Sequence, residues 1–159
     1  MLLRPFTPAD TPGIIALIDG VYREHGDAVC LTDADSDLLD IPGRYLSQEG
    51  VFVVLDDAGA IRGSHAVLPF PDRLGVCTFR RLYMASELRG GGWGERLMQW
   101  AFDWSRERGL VRVEFWSDTR FTRAHRFFRR LGFEHDGRMR EMHDGITPYR
   151  EYFFSRELA

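Results

Sequence analysis

Residues 76–109 constrain this chain more than any other stretch. Val76 to Met84 carries the β-branched and aromatic residues of a strand. Gly90, Gly91, Gly92 and Gly94 follow within "RGGGWG", and Trp93, Leu97, Trp100, Ala101 and Trp104 then recur at helical spacing until Gly109 closes the segment. Glycine loses more backbone freedom on folding than any other residue. Four glycines in five positions therefore weaken a fold unless the chain must bend there or something approaches its backbone. A strand, a glycine turn and a helix together make an anion-binding device, because the first-turn amides point outward and the helix dipole adds roughly +0.5 charge. A phosphate or pyrophosphate is the expected guest. Two nucleotide motifs fail on spacing. A GxGxxG fingerprint from Gly90 or Gly92 needs glycine where Glu95 or Leu97 stands, and no lysine follows the glycines to complete a Walker A loop.

The flanks predict a mixed α/β chain. Leu2 to Phe6 reads as a short strand, and Thr7 to Thr11 supplies caps ahead of a helical stripe of Ile14, Ile15, Leu17, Ile18, Val21 and Tyr22. An acidic loop with Glu24, Asp27, Asp33, Asp35, Asp37 and Asp40 leads through a broken second helix to Gly50. Val51 to Leu55 and Ile61 to Phe70 pair about "DDAGA", and with Val76 to Met84 they predict an antiparallel meander. Val111 to Trp116 is a strand. Phe121, Ala124, Phe127, Phe128 and Leu131 make a second helical stripe ended by Gly132, and two strands close the chain at about residues 133–142 and 149–156. Trp93, Trp100 and Trp104 are expected in the core.

At 159 residues, 44% apolar and 28% charged, the sequence has the make-up of one globular domain spanning 1–159. A net charge of −3 gives no general attraction to nucleic acid or an anionic membrane, so neither is an expected partner. Cys30 and Cys77 stand far apart in no CxxC pattern, which predicts reduced thiols and no metal site. No apolar run approaches the roughly 18 to 20 residues of a membrane span, and "MLLRPFTPADTP" lacks a signal-peptide core; a cytoplasmic location is expected.

The spacing Arg-x-x-Gly-x-Gly is met by Arg89, Gly92 and Gly94. With its flanks, "LYMASELRGGGWGERLMQWAFDWSRERG" resembles the strand, acyl-CoA loop and helix of the GNAT superfamily of N-acetyltransferases. "RAHRFFRRLGF" resembles the second CoA motif of that family, a helix running into Leu-Gly-Phe. Together these cover about residues 76–137, and the element order agrees over the remainder. The resemblance implies a GNAT-like α/β fold, with a mostly antiparallel, splayed sheet of about seven strands flanked by about four helices. It implies acetyl-CoA as co-substrate, with its pyrophosphate cradled by the amides of Arg89, Gly90, Gly91, Gly92, Trp93 and Gly94. The backbone of Leu82, Tyr83 and Met84 would pair with the pantetheine arm, meeting polar groups that a splayed strand otherwise leaves unpaired. One of those amides would polarise the thioester carbonyl. Arg123 and Phe128 of the second motif would lie beside the cofactor. Homodimers are common in the family.

Two positions depart from the family pattern. Phe128 fills the slot where the family often has a tyrosine that protonates the departing thiolate, and Phe121 replaces an asparagine that contacts the cofactor. Either another group donates that proton or the thiolate leaves unaided, its pKa of roughly 8.5 making it a fair leaving group. Acid and base candidates are Tyr83, Glu114 and Asp118, followed by His65, His143 and Tyr149. Each has a structural reading: Tyr83 as a packed strand aromatic, Glu114 as a solvated strand position, Asp118 as a turn or cap residue, His65 as a structural strand histidine. Arg126, Arg129 and Arg130 are either phosphate contacts or a solvated helix face. The acidic loop falls where the family builds its acceptor site and either suits a cationic amine or keeps the loop solvated. The expected activity is direct transfer of an acetyl group from acetyl-CoA to a primary amine of a small molecule or peptide in a ternary complex. The alternative, motivated by Phe128 and Phe121, is an acyl-CoA-binding regulatory or interaction module without turnover.

Overall fold

The computed structural model describes residues 1–158. Its strands are β1 (Leu2–Pro5), β2 (Val51–Asp57), β3 (Ala60–Pro69), β4 (Val76–Met84), β5 (Arg112–Asp118), β6 (Glu134–Met142) and β7 (Tyr149–Glu157). The helices are α1 (Thr11–Arg23), α2 (Ile41–Arg44), α3 (Trp93–Glu107) and α4 (Thr122–Arg130), with short 3-10 turns between them. All seven strands join one open sheet in the order β1-β2-β3-β4-β5-β7-β6. Every pairing is antiparallel except that of β4 with β5.

Local chemistry explains most of these elements. The β2–β3 hairpin turns through Ala58 and Gly59 with φ of 51° and 94°, the left-handed pair that matches the twist of a tight hairpin. Asp10 anchors the start of α1: its carboxylate accepts both Arg4 terminal nitrogens at 2.8 Å and the Thr7 amide at 2.8 Å. On one face of the sheet, Ile14 and Ile18 of α1 pack with Leu38, Ile41 and Tyr45 against Phe52, Val54 and Ala66. On the other, Met98, Ala101 and Phe102 of α3 and Phe128 of α4 cover Val67, Phe79, Val113, Phe115 and Phe154. Fully burying one such side chain contributes about 1.5–3 kcal/mol, so the two layers hold the halves of the sheet on independent cores.

The buried stripe of α3 is Leu97, Met98, Ala101, Phe102 and Ser105, rotated from the expected one. Trp93, Trp100 and Trp104 are half-buried at its margin, where Arg96 covers Trp93 at 4.3 Å and Arg108 covers Trp104 at 3.8 Å. An indole is amphipathic and tolerates a margin under a guanidinium, whereas the close approach of the helix to the sheet favours slimmer side chains. In α4 the buried residues are His125 and Phe128. Burial holds His125 neutral, pushing its pKa down to about 4, and its Nε2 lies 3.0 Å from Ser117 Oγ. Cys30 and Cys77 are free thiols.

Between β4 and β5 the sheet opens. The two strands pair only at Val76–Arg112 and Cys77–Val113, and beyond that point they diverge. From Thr78 onward the β5-facing edge of β4 has no ladder partner, so its backbone groups line the gap.

Candidate active site

At the mouth of that gap β4 carries a bulge. Ser64 pairs with Tyr83 and Ala66 with Arg80, which leaves His65 alone opposite Arg81 and Leu82. Arg81 takes a φ of 58°, in the left-handed region where a non-glycine residue costs about 1–2 kcal/mol. Tertiary contacts hold it there. Its guanidinium donates to Asp37 (Nε to Oδ2 3.0 Å, with a short Nη2 contact to Oδ1), to Asp35 at 3.0 Å and to the Tyr22 hydroxyl at 3.2 Å. Arg81, Asp35 and Asp37 are 8%, 2% and 1% exposed, so this is a buried ionic cluster of one guanidinium and two carboxylates, with the charge of Arg80 also acting on Asp37. Burial pushes the Asp37 carboxyl up, but the hydrogen bonds and charge of Arg81 outweigh it and hold the group below the usual carboxylate range.

Two side chains of β3 fix the bulge from behind. Ser64 Oγ donates to the Arg81 carbonyl at 2.7 Å, and His65 Nδ1 lies 3.2 Å from the Arg80 carbonyl. A carbonyl only accepts, so Nδ1 carries the His65 proton and Nε2 is the bare nitrogen; it is buried with no partner among the described residues. Burial pushes the His65 pKa down to about 4. His65 is therefore a neutral brace for the bulge at neutral pH and holds no proton to give to thiolate.

The glycine loop meets the end of β4. Gly90 and Gly92 have φ of 81° and 84°, and a Cβ on Gly92 would enter open space with nothing within 4 Å. Gly94 answers a different need: its Cβ would stand 3.3 Å from both Met84 Cε and Phe127 Cζ, where α3, β4 and α4 converge. The Arg89 amide bonds to the Ser86 carbonyl and the Gly91 amide to that of Leu88, each at 3.3 Å. The first helical bond of α3 runs from Arg96 to Gly92. The N–H groups of Gly90, Gly92, Trp93, Gly94 and Glu95 thus have no acceptor among the described residues, and they form a narrower cradle than the expected run from Arg89. The Arg89 guanidinium also turns away, making a two-pronged pair with Glu24 at 2.7 and 3.0 Å. Arg123 instead brings Nη2 to 4.0 Å from the Gly90 Cβ position, beside the cradle. Arg126, Arg129 and Arg130 are exposed, Arg130 lying 3.8 Å from Glu95.

A cleft of about 610 Å³ runs through the splay, lined by Leu82, Tyr83, Phe128, Phe121, Glu114, Asp118 and Tyr149 among others. Phe128 sits at its floor, its ring 4.9 Å from that of Phe115. Phe121 meets His25 edge-on at 4.7 Å and joins the end of α1 to the start of α4.

The acid and base candidates separate by their partners. Glu114 accepts from Arg73 at 2.6 and 3.0 Å and from Arg112 at 2.7 Å; Arg73 foremost lowers its pKa to about 2. A carboxylate held so low does not take a proton near neutrality, which corrects its reading as a base. Asp118 grips Arg120, accepting from its backbone amide at 2.9 Å and its Nη2 at 2.6 Å, and Arg120 reaches Asp27 at 3.1 Å. Asp118 thus positions a guanidinium. Tyr22 spends its proton on Asp35 at 2.9 Å, so Tyr83, 3.3 Å away, donates to it; burial raises the Tyr83 pKa and keeps the phenol protonated. Tyr149 donates to Asp144 at 2.7 Å, and His143 is exposed outside the cleft lining.

Glu151 of β7, absent from the candidates drawn from sequence, stands opposite Asp118 and lines the cleft. Burial raises its pKa even though Arg140 binds it at 2.8 Å. In sequence it is one acid within "YREYFF"; only strand pairing carries it to the site.

Most carboxylates of the acidic loop are paired within the fold, and Asp27 and Asp35 also line the cleft. Glu24 holds Arg89, Asp27 holds Arg120, and Asp35 and Asp37 hold Arg81, while Asp40 caps the Gly43 amide at 3.1 Å. All 21 basic residues of the chain are arginines, whose planar fork suits such half-buried carboxylate pairs.

The model of the acetyltransferase (GNAT) family matches residues 18–133, and the chain belongs to that family. YjgM, an uncharacterized N-acetyltransferase of Escherichia coli (strain K12), is 26% identical over 137 residues, 84% of this chain and 82% of that one. A solved acetyltransferase from Streptococcus agalactiae 2603 has a TM-score of 0.83 at 15% identity, over 98% of this chain and 97% of its own. A ribosomal-protein-alanine N-acetyltransferase from Brucella melitensis has a TM-score of 0.73 at 21% identity, over 99% of each chain. The protein is an acyl-CoA-dependent N-acetyltransferase with the open, seven-stranded GNAT sheet. No helix among the described residues is long and apolar enough to cross a membrane.

Proposed function

We propose that the protein transfers the acetyl group of acetyl-CoA directly to a primary amine of a small molecule or peptide, with both substrates bound in the cleft at once. The carrying observation is the continuity of the Gly90–Glu95 amide cradle with the unpaired edge of β4 and the bulge at Arg81. Phosphates at the cradle would lay the pantetheine arm along Leu82, Tyr83 and Met84 and bring the thioester to the bulge. The amine nitrogen then attacks the carbonyl carbon, a β4 amide stabilises the developing oxyanion, and the C–S bond breaks as CoA leaves. Two protons must move. Glu151, its pKa raised, is the carboxyl suited to accept the one the ammonium loses, directly or through water; the thiolate takes the other from solvent, because the Tyr83 proton is committed to Tyr22 and burial raises its pKa. Phe128 leaves the family's usual acid slot empty of a proton, so CoA departs as the thiolate, its pKa of roughly 8.5 making it a fair leaving group. We place the reaction in the cytoplasm and expect the active species to be a homodimer.

Calorimetric titration with acetyl-CoA, followed by CoA release with a panel of amines, tests the reading. Micromolar binding and amine-dependent release are expected. Binding without release for any amine would leave an acyl-CoA-binding module, and no binding would overturn the site.

A further inference from the structure

Five arginines line the cleft, and Arg80 is the one with no carboxylate partner among the described residues. Arg73 is held by Glu114 at 2.6 Å, Arg81 by Asp35 at 3.0 Å, Arg120 by Asp118 at 2.6 Å and Arg140 by Glu151 at 2.6 Å. Arg80 covers the buried Tyr45 ring, its guanidinium carbon 5.9 Å from the centroid, and its charge reaches Asp37 without a hydrogen bond. A guanidinium presents five donors and no acceptor, and in a half-buried wall those donors call for an anion.

The bulge decides which substrate that anion belongs to. By placing an extra residue in β4 it turns Arg80 and Arg81 toward the same face, that of α1 and Tyr45, and there the aspartates hydrogen-bond Arg81 and not Arg80, whose charge acts on Asp37 only at a distance. Leu82 and Met84 pack on the other face with α3. Arg80 also lies four residues before Met84, roughly 12 Å along an extended strand from the end that meets the amide cradle. With the cofactor phosphates at the amide cradle, as proposed above, that far end is where they would be held, so the anion facing Arg80 would come from the acceptor. We infer that the acceptor is an amine bearing a carboxylate, an amino acid or a short peptide, whose carboxylate pairs with Arg80 while its amine is presented at the bulge. This inference rests on the acetyl-transfer reading above.

Kinetics on matched substrates test it. Amino acids and dipeptides, each beside its own carboxamide, would be assayed for CoA release with the wild type, Arg80→Gln and Arg80→Lys, acetyl-CoA affinity confirming that each variant is folded. The wild type is expected to favour the carboxylate member at least tenfold in kcat/KM, Arg80→Gln to bring that ratio near one, and Arg80→Lys to fall between. Preference for amino acids or for dipeptides identifies which source of carboxylate the cleft accepts. A wild-type ratio near one, or a preference that survives Arg80→Gln, overturns the inference while acetyl transfer stands. If no amine in any pair is acetylated, the transfer reading has failed, and calorimetry of the same carboxylates decides the inference separately: binding lost in Arg80→Gln upholds it, and no binding to the wild type overturns it.

Discussion

Replacing Arg81 with leucine removes the cation from a cluster in which Asp35 and Asp37 are 2% and 1% exposed. Two carboxylates would then be buried without compensation, a change that costs about 3–5 kcal/mol when one partner of a buried pair is deleted. For a chain of this size that corresponds to a drop in Tm of roughly 6–20 °C. Arg81→Gly deletes the same charge but relieves the left-handed φ of 58°, so it should be less damaging than leucine by about 1 kcal/mol. The pH dependence has a definite sign. In the wild type Asp37 sits below its usual pKa, so its contribution is present above the unfolded value and is lost as pH falls through the folded one. In the leucine variant burial of Asp37 is no longer opposed by Arg81, its carboxyl titrates higher, and its protonation relieves the penalty. The stability deficit of the variant should therefore shrink as pH falls from 7 toward about 4. Urea unfolding of the three proteins across that range, read by linear extrapolation, measures it. A leucine variant within about 1 kcal/mol of wild type at pH 7, or a deficit that widens in acid, would refute the clamp as the support of the bulge.

Gly92→Val should weaken acetyl-CoA binding at least tenfold by calorimetry and lower Tm by roughly 2–8 °C, because its side chain meets open space but valine is strained at a φ of 84°; Gly94→Val should lose Tm as well, since it wedges α3 away from Met84 and Phe127. Glu151→Gln is expected to lower kcat/KM and remove the acid limb of its pH profile, and an unchanged profile would exclude Glu151 as the base. Glu114, with a folded pKa of about 2, stabilises the fold above its unfolded value and loses that effect as pH falls toward 2. The stability gap between wild type and Glu114→Gln should close over that window in acid unfolding. Phe128→Tyr should leave kcat equal to or above that of the wild type; a large fall in Tm would show that the new hydroxyl is buried against Phe115 without a partner.

Periodicity, glycine spacing and turn chemistry were enough to read the meander of β2 to β4, the long α3, and the loop whose Gly90 and Gly92 adopt left-handed backbone. These are local properties: a strand alternates by twos, a helix by 3.6, and a positive φ calls for glycine within a few residues. The proposed cofactor half of the site lies along one continuous stretch from β4 into α3, so local spacing alone could point to it. The other half is assembled across the sheet. Nothing local places β7 between β5 and β6, and that insertion is what carries Glu151 to Asp118. Nor does "FRRLYM" reveal that one of its two adjacent arginines is buried at a φ of 58° by aspartates more than forty residues earlier while its neighbour is left without a carboxylate. The acidic run from Glu24 to Asp40 looks like a pocket for a cation until the fold supplies its arginines. A charge in a sequence has a sign but no partner, and its pKa, burial and availability to a ligand are fixed only when distant strands bring that partner within hydrogen-bonding reach.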